Sequence, residues 1–158
     1  MEFNIRPYHR RDLESLKAIT VEGFEGVSLD HAIERVLDGE FAGRDWRWRK
    51  ARHVDEDVVV FAEGVFVAEA NGAVAGYIST RIDRDAGKGR IPNMAVAVWA
   101  RREGIGRALL EHALAFFREE KLEYAMIETM GSNPVGQSLY PSCGFKEVAR
   151  QIHYAQRL

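Results

Sequence analysis

The hydrophobic period changes twice between residues 64 and 130, and that change limits the folds open to the chain. The runs "GVFVAEA" and "AVAGYISTRI" are rich in strand-forming residues and meet at Asn71-Gly72. Asn-Gly between such runs predicts a tight hairpin, because a type I′ turn needs two positive φ angles. "DRDAGKG" (83–89) predicts a second, looser turn and "RIPNMAVAVW" (90–99) a third strand, so 64–99 reads as an antiparallel meander. From residue 104 the spacing becomes helical: Ile105, Leu109, Ala113 and Phe116 share one face of a helix over 104–120. "EYAMIETM" (123–130) returns to strand. Strand, helix and strand within this length require a parallel crossover, right-handed by strong preference. The expected class is α/β (α+β) with a mixed sheet, in one domain spanning 1–158.

The flanks add less. "FNIRPY" (3–8) reads as a first strand, with Asp12 as N-cap of a helix from Leu13 whose stripe is Leu13, Leu16 and Ile19. "DHAIERVL" (30–37) reads as a second helix, stopped near Gly39. Residues 40–62 admit a helix, a loop or a lid. "GFKEVARQIHYAQRL" at the end predicts one or two further strands. A net charge of −2 gives no general attraction to nucleic acid or anionic membrane. No apolar run approaches the ~20 residues of a membrane span, and no secretory leader is visible. The single cysteine, Cys143, excludes an internal disulfide and fits a reducing compartment, so a cytoplasmic protein is expected.

The segment "RREGIGRALL" (101–110) combines features that a helix start ordinarily avoids. Gly104 and Gly106 weaken a helix, and Arg101, Arg102 and Arg107 stand at its positive end, each unfavourable by about 0.3–1 kcal/mol if exposed. A bound polyanion reverses that sign, because the unpaired N–H groups of a first turn are an anion site. The alternative is a glycine turn with solvated arginines. A Walker loop needs Lys-Ser or Lys-Thr after its last glycine, where Arg107-Ala108 stands. The dinucleotide fingerprint needs glycine or alanine where Leu109 stands. Arg-x-x-Gly-x-Gly, formed by Arg101, Gly104 and Gly106, remains.

That motif resembles the acetyl-CoA loop of the GCN5-related N-acetyltransferase (GNAT) family. "NPVGQSLYPSCGF" (133–145) resembles the family's second signature through Asn133, a small residue at 136, Tyr140 and Gly144-Phe145. The resemblance covers about 64–158 well and 1–27 loosely. It implies the GNAT fold, in which a bulge splays the fourth strand from the fifth and the pantetheine arm lies between them like an added strand. Pro92 marks "NMAVAV" (93–98) as a disturbed or edge strand.

By resemblance the amides of Met94, Ala95 and Val96 meet pantetheine and the acetyl carbonyl, where an N–H stabilises the oxyanion. Arg101, Arg102, Glu103, Gly104, Ile105, Gly106 and Arg107 form the pyrophosphate loop, and Asn133 contacts the cofactor. Tyr140 protonates the leaving thiolate. Glu128, five residues before Asn133, matches the general base of the ribosomal-protein N-terminal acetyltransferases. A base is needed because an amine of pKa about 10.4 is neutral in roughly one molecule in two thousand at pH 7. Without the resemblance, Tyr140 reads as a packed helix residue and Glu128 as a surface ion-pair partner. Val98 departs from the family's usual proline, and Gly136 from its usual alanine.

The implied activity is acetyl-CoA-dependent N-acetylation of a primary amine on a small molecule, peptide or protein. No metal, nucleic acid or membrane partner is implied, and a homodimer is compatible with the family. The alternative is an acetyl-CoA-binding sensor with little catalysis, against which Glu128 and Tyr140 argue. His9, His31, His53, His112 and His153 lack metal-ligand spacing. His112 reads as packing and His53 as surface, while Trp46 and Trp48 suit either an acceptor wall or core anchors.

Overall fold

The structure is a computed structural model that describes residues 1–158. Seven strands and five α-helices follow in the order β1 (Asn4–Pro7), α1 (Leu13–Gly23), α2 (Leu29–Leu37), α3 (Trp46–Phe61), β2 (Phe66–Ala70), β3 (Ala73–Ile78), β4 (Arg81–Asp83), β5 (Lys88–Ile91), β6 (Met94–Val96), α4 (Ile105–Glu119), β7 (Tyr124–Ile127) and α5 (Pro134–Ser142). The hairpin between β2 and β3 turns on Asn71 (φ 53°) and Gly72 (φ 73°), the two left-handed positions that type I′ demands.

The expected meander divides between two sheets. One has the order β1-β2-β3-β6 and the other β4-β5-β7. The division falls where the chain changes partner. Strand β5 runs parallel to β7, with Arg90 opposite Met126 and Ile91 opposite Ile127. After Pro92 and Asn93 the same chain segment becomes β6 and pairs antiparallel with β3, Tyr77 opposite Ala95. The sequence reading of one strand over 90–99 therefore resolves into two strands on different sheets. The crossover through α4 to β7 is parallel as expected.

Helices cover both faces. Neighbouring strand residues point opposite ways. A Cβ on Gly76 would come within 3.3 Å of Ile105 and Leu109 of α4. The next residue, Tyr77, reaches α1, where its hydroxyl lies 2.5 Å from Thr20 Oγ1. On α4, Ile105, Leu109, Leu110, Ala113 and Phe117 are buried. At about 1.5–3 kcal/mol per large apolar side chain, this stripe contributes much of the core. His112 packs edge-on against Phe66, at 4.5 Å between ring centres.

Two local expectations change. Asp12 precedes α1 but makes no capping bond to it. Its buried carboxylate accepts from Arg6 Nη1 (2.8 Å), Arg6 Nη2 (3.0 Å) and the His9 amide (2.8 Å), tying β1 to the α1 entry. Residues 145–158 form no strand. Val148, Ile152 and Tyr154 are exposed, and Arg157 anchors the segment on the carbonyls of Leu37 and Asp38. Strand propensity needs a pairing partner to become a strand, and this tail has none in the chain.

Burial raises the Asp12 carboxyl, but the hydrogen bonds from Arg6 and His9 outweigh it and hold it below its ordinary 3.8. Its contribution is therefore complete above pH 3.8 and fades as pH falls through the lower folded value. Asp12→Ala should cost about 3–5 kcal/mol in urea unfolding at pH 7, the scale for breaking a buried pair. A cost under about 1 kcal/mol would place the pair among surface bridges.

Candidate active site

The site begins at the partner change. Ser79 N donates to Asn93 O (2.9 Å) and Ala97 N to Ala75 O (2.8 Å), so the odd-numbered residues of this stretch bond to β3. Alternation along a strand then turns the N–H of Ala95 toward β3 and those of Met94 and Val96 the other way. On that other side β6 has no paired strand, although β5 just before it is paired to β7. A wedge opens between β6 and β7, lined on one side by the free main-chain groups of Met94 and Val96. Of the three expected amides, two face this wedge.

The glycine turn follows β6 after a short 3-10 turn over Val98–Ala100. Gly104 is the N-cap of α4 with φ 81°, a conformation that favours glycine, and no side chain caps the helix. The first-turn N–H groups thus keep no partner within the helix. A Cβ on Gly104 would meet nothing within 4 Å, so the turn faces open space. Arg101, Arg102 and Glu103 are exposed around it, while Ile105 anchors the turn in the core and Gly106 is half-buried. Glu103 accepts from the Met1 amino group at 2.9 Å. Arg107 is engaged elsewhere: its guanidinium donates to Ser142 Oγ (2.8 Å) and Ser142 O (3.3 Å), bracing α5 against α4.

The departures from the family pattern have local causes. Val98 N donates to Glu22 Oε2 at 3.3 Å, a bond that proline cannot make. At residue 136 a Cβ would lie 2.7 Å from Thr129 Oγ1 and 3.1 Å from Tyr140 Cε2. Thr129 Oγ1 is fixed in place as acceptor for Asn133 Nδ2 (2.9 Å), while Asn133 Oδ1 caps α5 at Gly136 N (3.4 Å). Asn133, Thr129, Gly136 and Tyr140 are therefore packed as one unit.

Tyr140 is half-buried on α5, edge-on to Phe145 at 6.3 Å. Burial pushes its phenol above the usual 10, so it stays protonated, as a proton donor must. Glu128 follows β7 and is exposed. Both Arg90 Nε (3.1 Å) and Nη2 (2.5 Å) donate to Glu128 Oε1, leaving Oε2 without a protein partner. The parallel register explains the pair: Arg90 lies opposite Met126, and residue 128 is the next on the same face.

Sequence reading passed over a buried polar cluster beside the wedge. Lys50 on α3 is 7% exposed, and its Nζ donates to Asn93 Oδ1 at 2.8 Å. Asn93 Nδ2 and Ser79 Oγ both donate to Asp57 Oδ2 at 2.7 Å, and Arg81 Nη2 donates to Asp57 Oδ1 at 2.8 Å. His53 Nδ1 lies 3.3 Å from Lys50 Nζ, so His53 is part of this cluster and not simple surface. Trp46 is buried and stacked on His31, whereas Trp48 is half-exposed between Arg44 and Arg52. The uncertain stretch 40–62 is mostly helix α3, capped by Asp45 at Trp48 N. Its charges hid its stripe, because Lys50 and Asp57 occupy the inward face.

A cavity of about 550 Å³ lies between α1 and α3, lined by residues such as Glu14, Glu22, Glu25 and Arg47. Its wall residue Glu22 also accepts from Val98 N, so this cavity borders the α1 side of the segment that follows β6. No group of three or more His, Cys, Asp or Glu side chains is arranged to hold a metal ion.

A split sheet with an uncapped, glycine-bearing helix start near it suits an extended ligand that ends in phosphate. Residues 30–145 match the acetyltransferase (GNAT) family model, and the chain belongs to that family. It is 30% identical over 145 residues to an N-alpha-acetyltransferase of Sulfurisphaera tokodaii, covering 71% of this chain and 87% of the relative. It is 32% identical over 89 residues to the [ribosomal protein bS18]-alanine N-acetyltransferase of Escherichia coli K12, covering 56% of this chain but only 59% of that enzyme. The fold matches the PaiA N-acetyltransferase of Thermoplasma acidophilum, solved in complex with coenzyme A, at TM-score 0.72 and 21% identity over 92% of this chain and 91% of that one. The protein is an N-acetyltransferase of that family.

Gly136→Ala forces a methyl group onto Thr129 and Tyr140. It should lower stability by about 1–3 kcal/mol in denaturant unfolding, the usual range for overpacking. Gly106→Ala, whose Cβ would meet only ordinary contacts at 3.7 Å, should cost less. Equal costs would show that the 129–140 unit yields.

Proposed function

We propose that acetyl-CoA lies in the wedge between β6 and β7 and passes its acetyl group directly to a primary amine of a peptide, protein or small molecule. The observation that carries this is the change of strand partner at Pro92–Asn93, which leaves Met94 and Val96 with free main-chain groups. Pantetheine amides would pair with those groups as an added strand does. The first turn of α4, with Arg101 and Arg102, would take the pyrophosphate. Arg107, occupied with Ser142, would brace the loop against α5, and Asn133 would hold the α5 end of the cofactor site.

The amine nitrogen attacks the thioester carbonyl carbon. An N–H of β6 stabilises the oxyanion, then the C–S bond breaks. Tyr140 gives its proton to the departing thiolate. Glu128 accepts the amine proton, through water, at the oxygen that Arg90 leaves free. The support for these roles is their placement, Glu128 just past the end of β7 and Tyr140 on α5. The family resemblance and the two N-terminal acetyltransferase relatives favour a peptide α-amine as acceptor. We place this activity in the cytoplasm and assign it to residues 1–158 as one domain. No helix is long and apolar enough to cross a membrane.

Tyr140→Phe should leave acetyl-CoA affinity unchanged in calorimetry and lower kcat by ~10²–10⁴, the usual worth of a positioned acid. Turnover would be followed by mass spectrometry on a mixed panel of N-terminal peptides, lysine, polyamines and aminoglycosides. Unchanged turnover would remove Tyr140 from the mechanism. Acetyl-CoA binding with no product from any amine would favour the sensor reading.

A further inference from the structure

Lys50 is a buried cationic side chain that the mechanism does not use. Its Nζ is buried with neutral partners: Asn93 Oδ1 at 2.8 Å, His53 Nδ1 at 3.3 Å and the Phe24 ring face at 4.0 Å. No carboxylate touches it. Removal from water lowers its pKa from 10.5 to about 8, only partly offset by the charges of Asp30 and Asp57. A protonated Lys50 at pH 7 is thus a standing penalty on the folded state, complete below pH 8 and relieved as pH rises toward 10.5. Burial and the neighbouring Lys50 charge also lower the His53 pKa, so that ring adds no second cation at pH 7.

The place of this charge is its meaning. Asn93 is the hinge residue at which the chain leaves β7 and joins β3. Its main chain is held by Ser79, whose N–H donates to Asn93 O and whose Oγ accepts from Asn93 N at 3.1 Å. Its side chain is held at both ends, the oxygen by Lys50 and the amide nitrogen by Asp57. All of these contacts run to α3 or to the end of β3, and none runs to β7. An asparagine with a buried donor at one end and a buried acceptor at the other has one orientation only.

On the reading of the wedge given above, we infer that Lys50 is a positioning residue for acetyl-CoA, acting through Asn93 to hold β6 apart from β7. It touches neither cofactor nor amine. The α3 helix thereby sets the width of the cofactor gap from the far side of the sheet break. Stability is given up at Lys50 and the open gap is what it secures, the balance expected where a site needs a strained or polar support.

Two variants test this in the full chain, with acetyl-CoA titrated by calorimetry and Tm measured alongside. Lys50→Met removes donor and charge and fills the space. It should weaken acetyl-CoA binding at least tenfold while leaving Tm unchanged or raised at pH 7. Lys50→Gln keeps a donor for Asn93 Oδ1 without charge and should recover most of the affinity. If wild type binds and both variants match it, the inference falls while the cleft reading stands. If Lys50→Gln binds as poorly as Lys50→Met, the contact with Asn93 is not the cause and the inference also falls. If the affinity loss of Lys50→Met comes with a collapse of Tm, Lys50 is structural only. Wild type that takes up no acetyl-CoA would overturn the cleft reading itself, and this inference with it.

Discussion

The structure depends on one exchange of hydrogen-bond partners. Backbone groups of a strand must be paired or lie open to solvent or ligand. Up to Ile91 the chain satisfies them against β4 and β7. From Met94 it satisfies only one side, against β3. Proline at 92 cannot donate to a ladder, and Asn93 is drawn into the Ser79–Asp57–Lys50 cluster. Everything functional is arranged around the half-satisfied strand that results. The glycine turn follows it after one short 3-10 turn, α4 starts there, and β7 with α5 forms the opposite wall.

Charge placement repeats the theme. Three arginines gather at the positive end of α4, a lysine is buried without a carboxylate, and Arg90 is spent on Glu128. Arg107 is satisfied within the fold by Ser142. Arg101 and Arg102 stay exposed beside uncapped N–H groups, an arrangement that a polyanion improves and water merely tolerates. Lys50 is the inward counterpart, a charge whose burial opposes folding but orders the residue where the sheet divides.

Much of this was legible in the sequence, and the parts that were not share a cause. The hairpin at Asn71-Gly72, the α4 stripe and the parallel crossover are local signals, and each appears where the spacing put it. Pro92 announced a disturbed strand, yet not that its two halves join different sheets, because partner choice is a tertiary property. Helix α3 was obscured because Lys50 and Asp57 stand at inward positions where a periodicity reading expects apolar residues. Asp12 had a cap's spacing but found a stronger partner in Arg6. The tail after Phe145 had a strand's alternation and no strand to pair with. Lys50 and Asn93 carry no motif, so only the three-dimensional cluster brings them forward.

The central claim is that Met94 and Val96 present free main-chain groups to a cofactor gap while Ala95 is turned to β3. Residue-resolved amide hydrogen exchange by NMR, with and without acetyl-CoA, tests it most directly. The account predicts that Ala95 exchanges slowly in both states. Met94, Val96 and the first turn of α4 should exchange fast in the free protein and slow markedly when acetyl-CoA is added. Protection of Met94 and Val96 that is already complete without acetyl-CoA, or is unaltered by saturating acetyl-CoA, would contradict it.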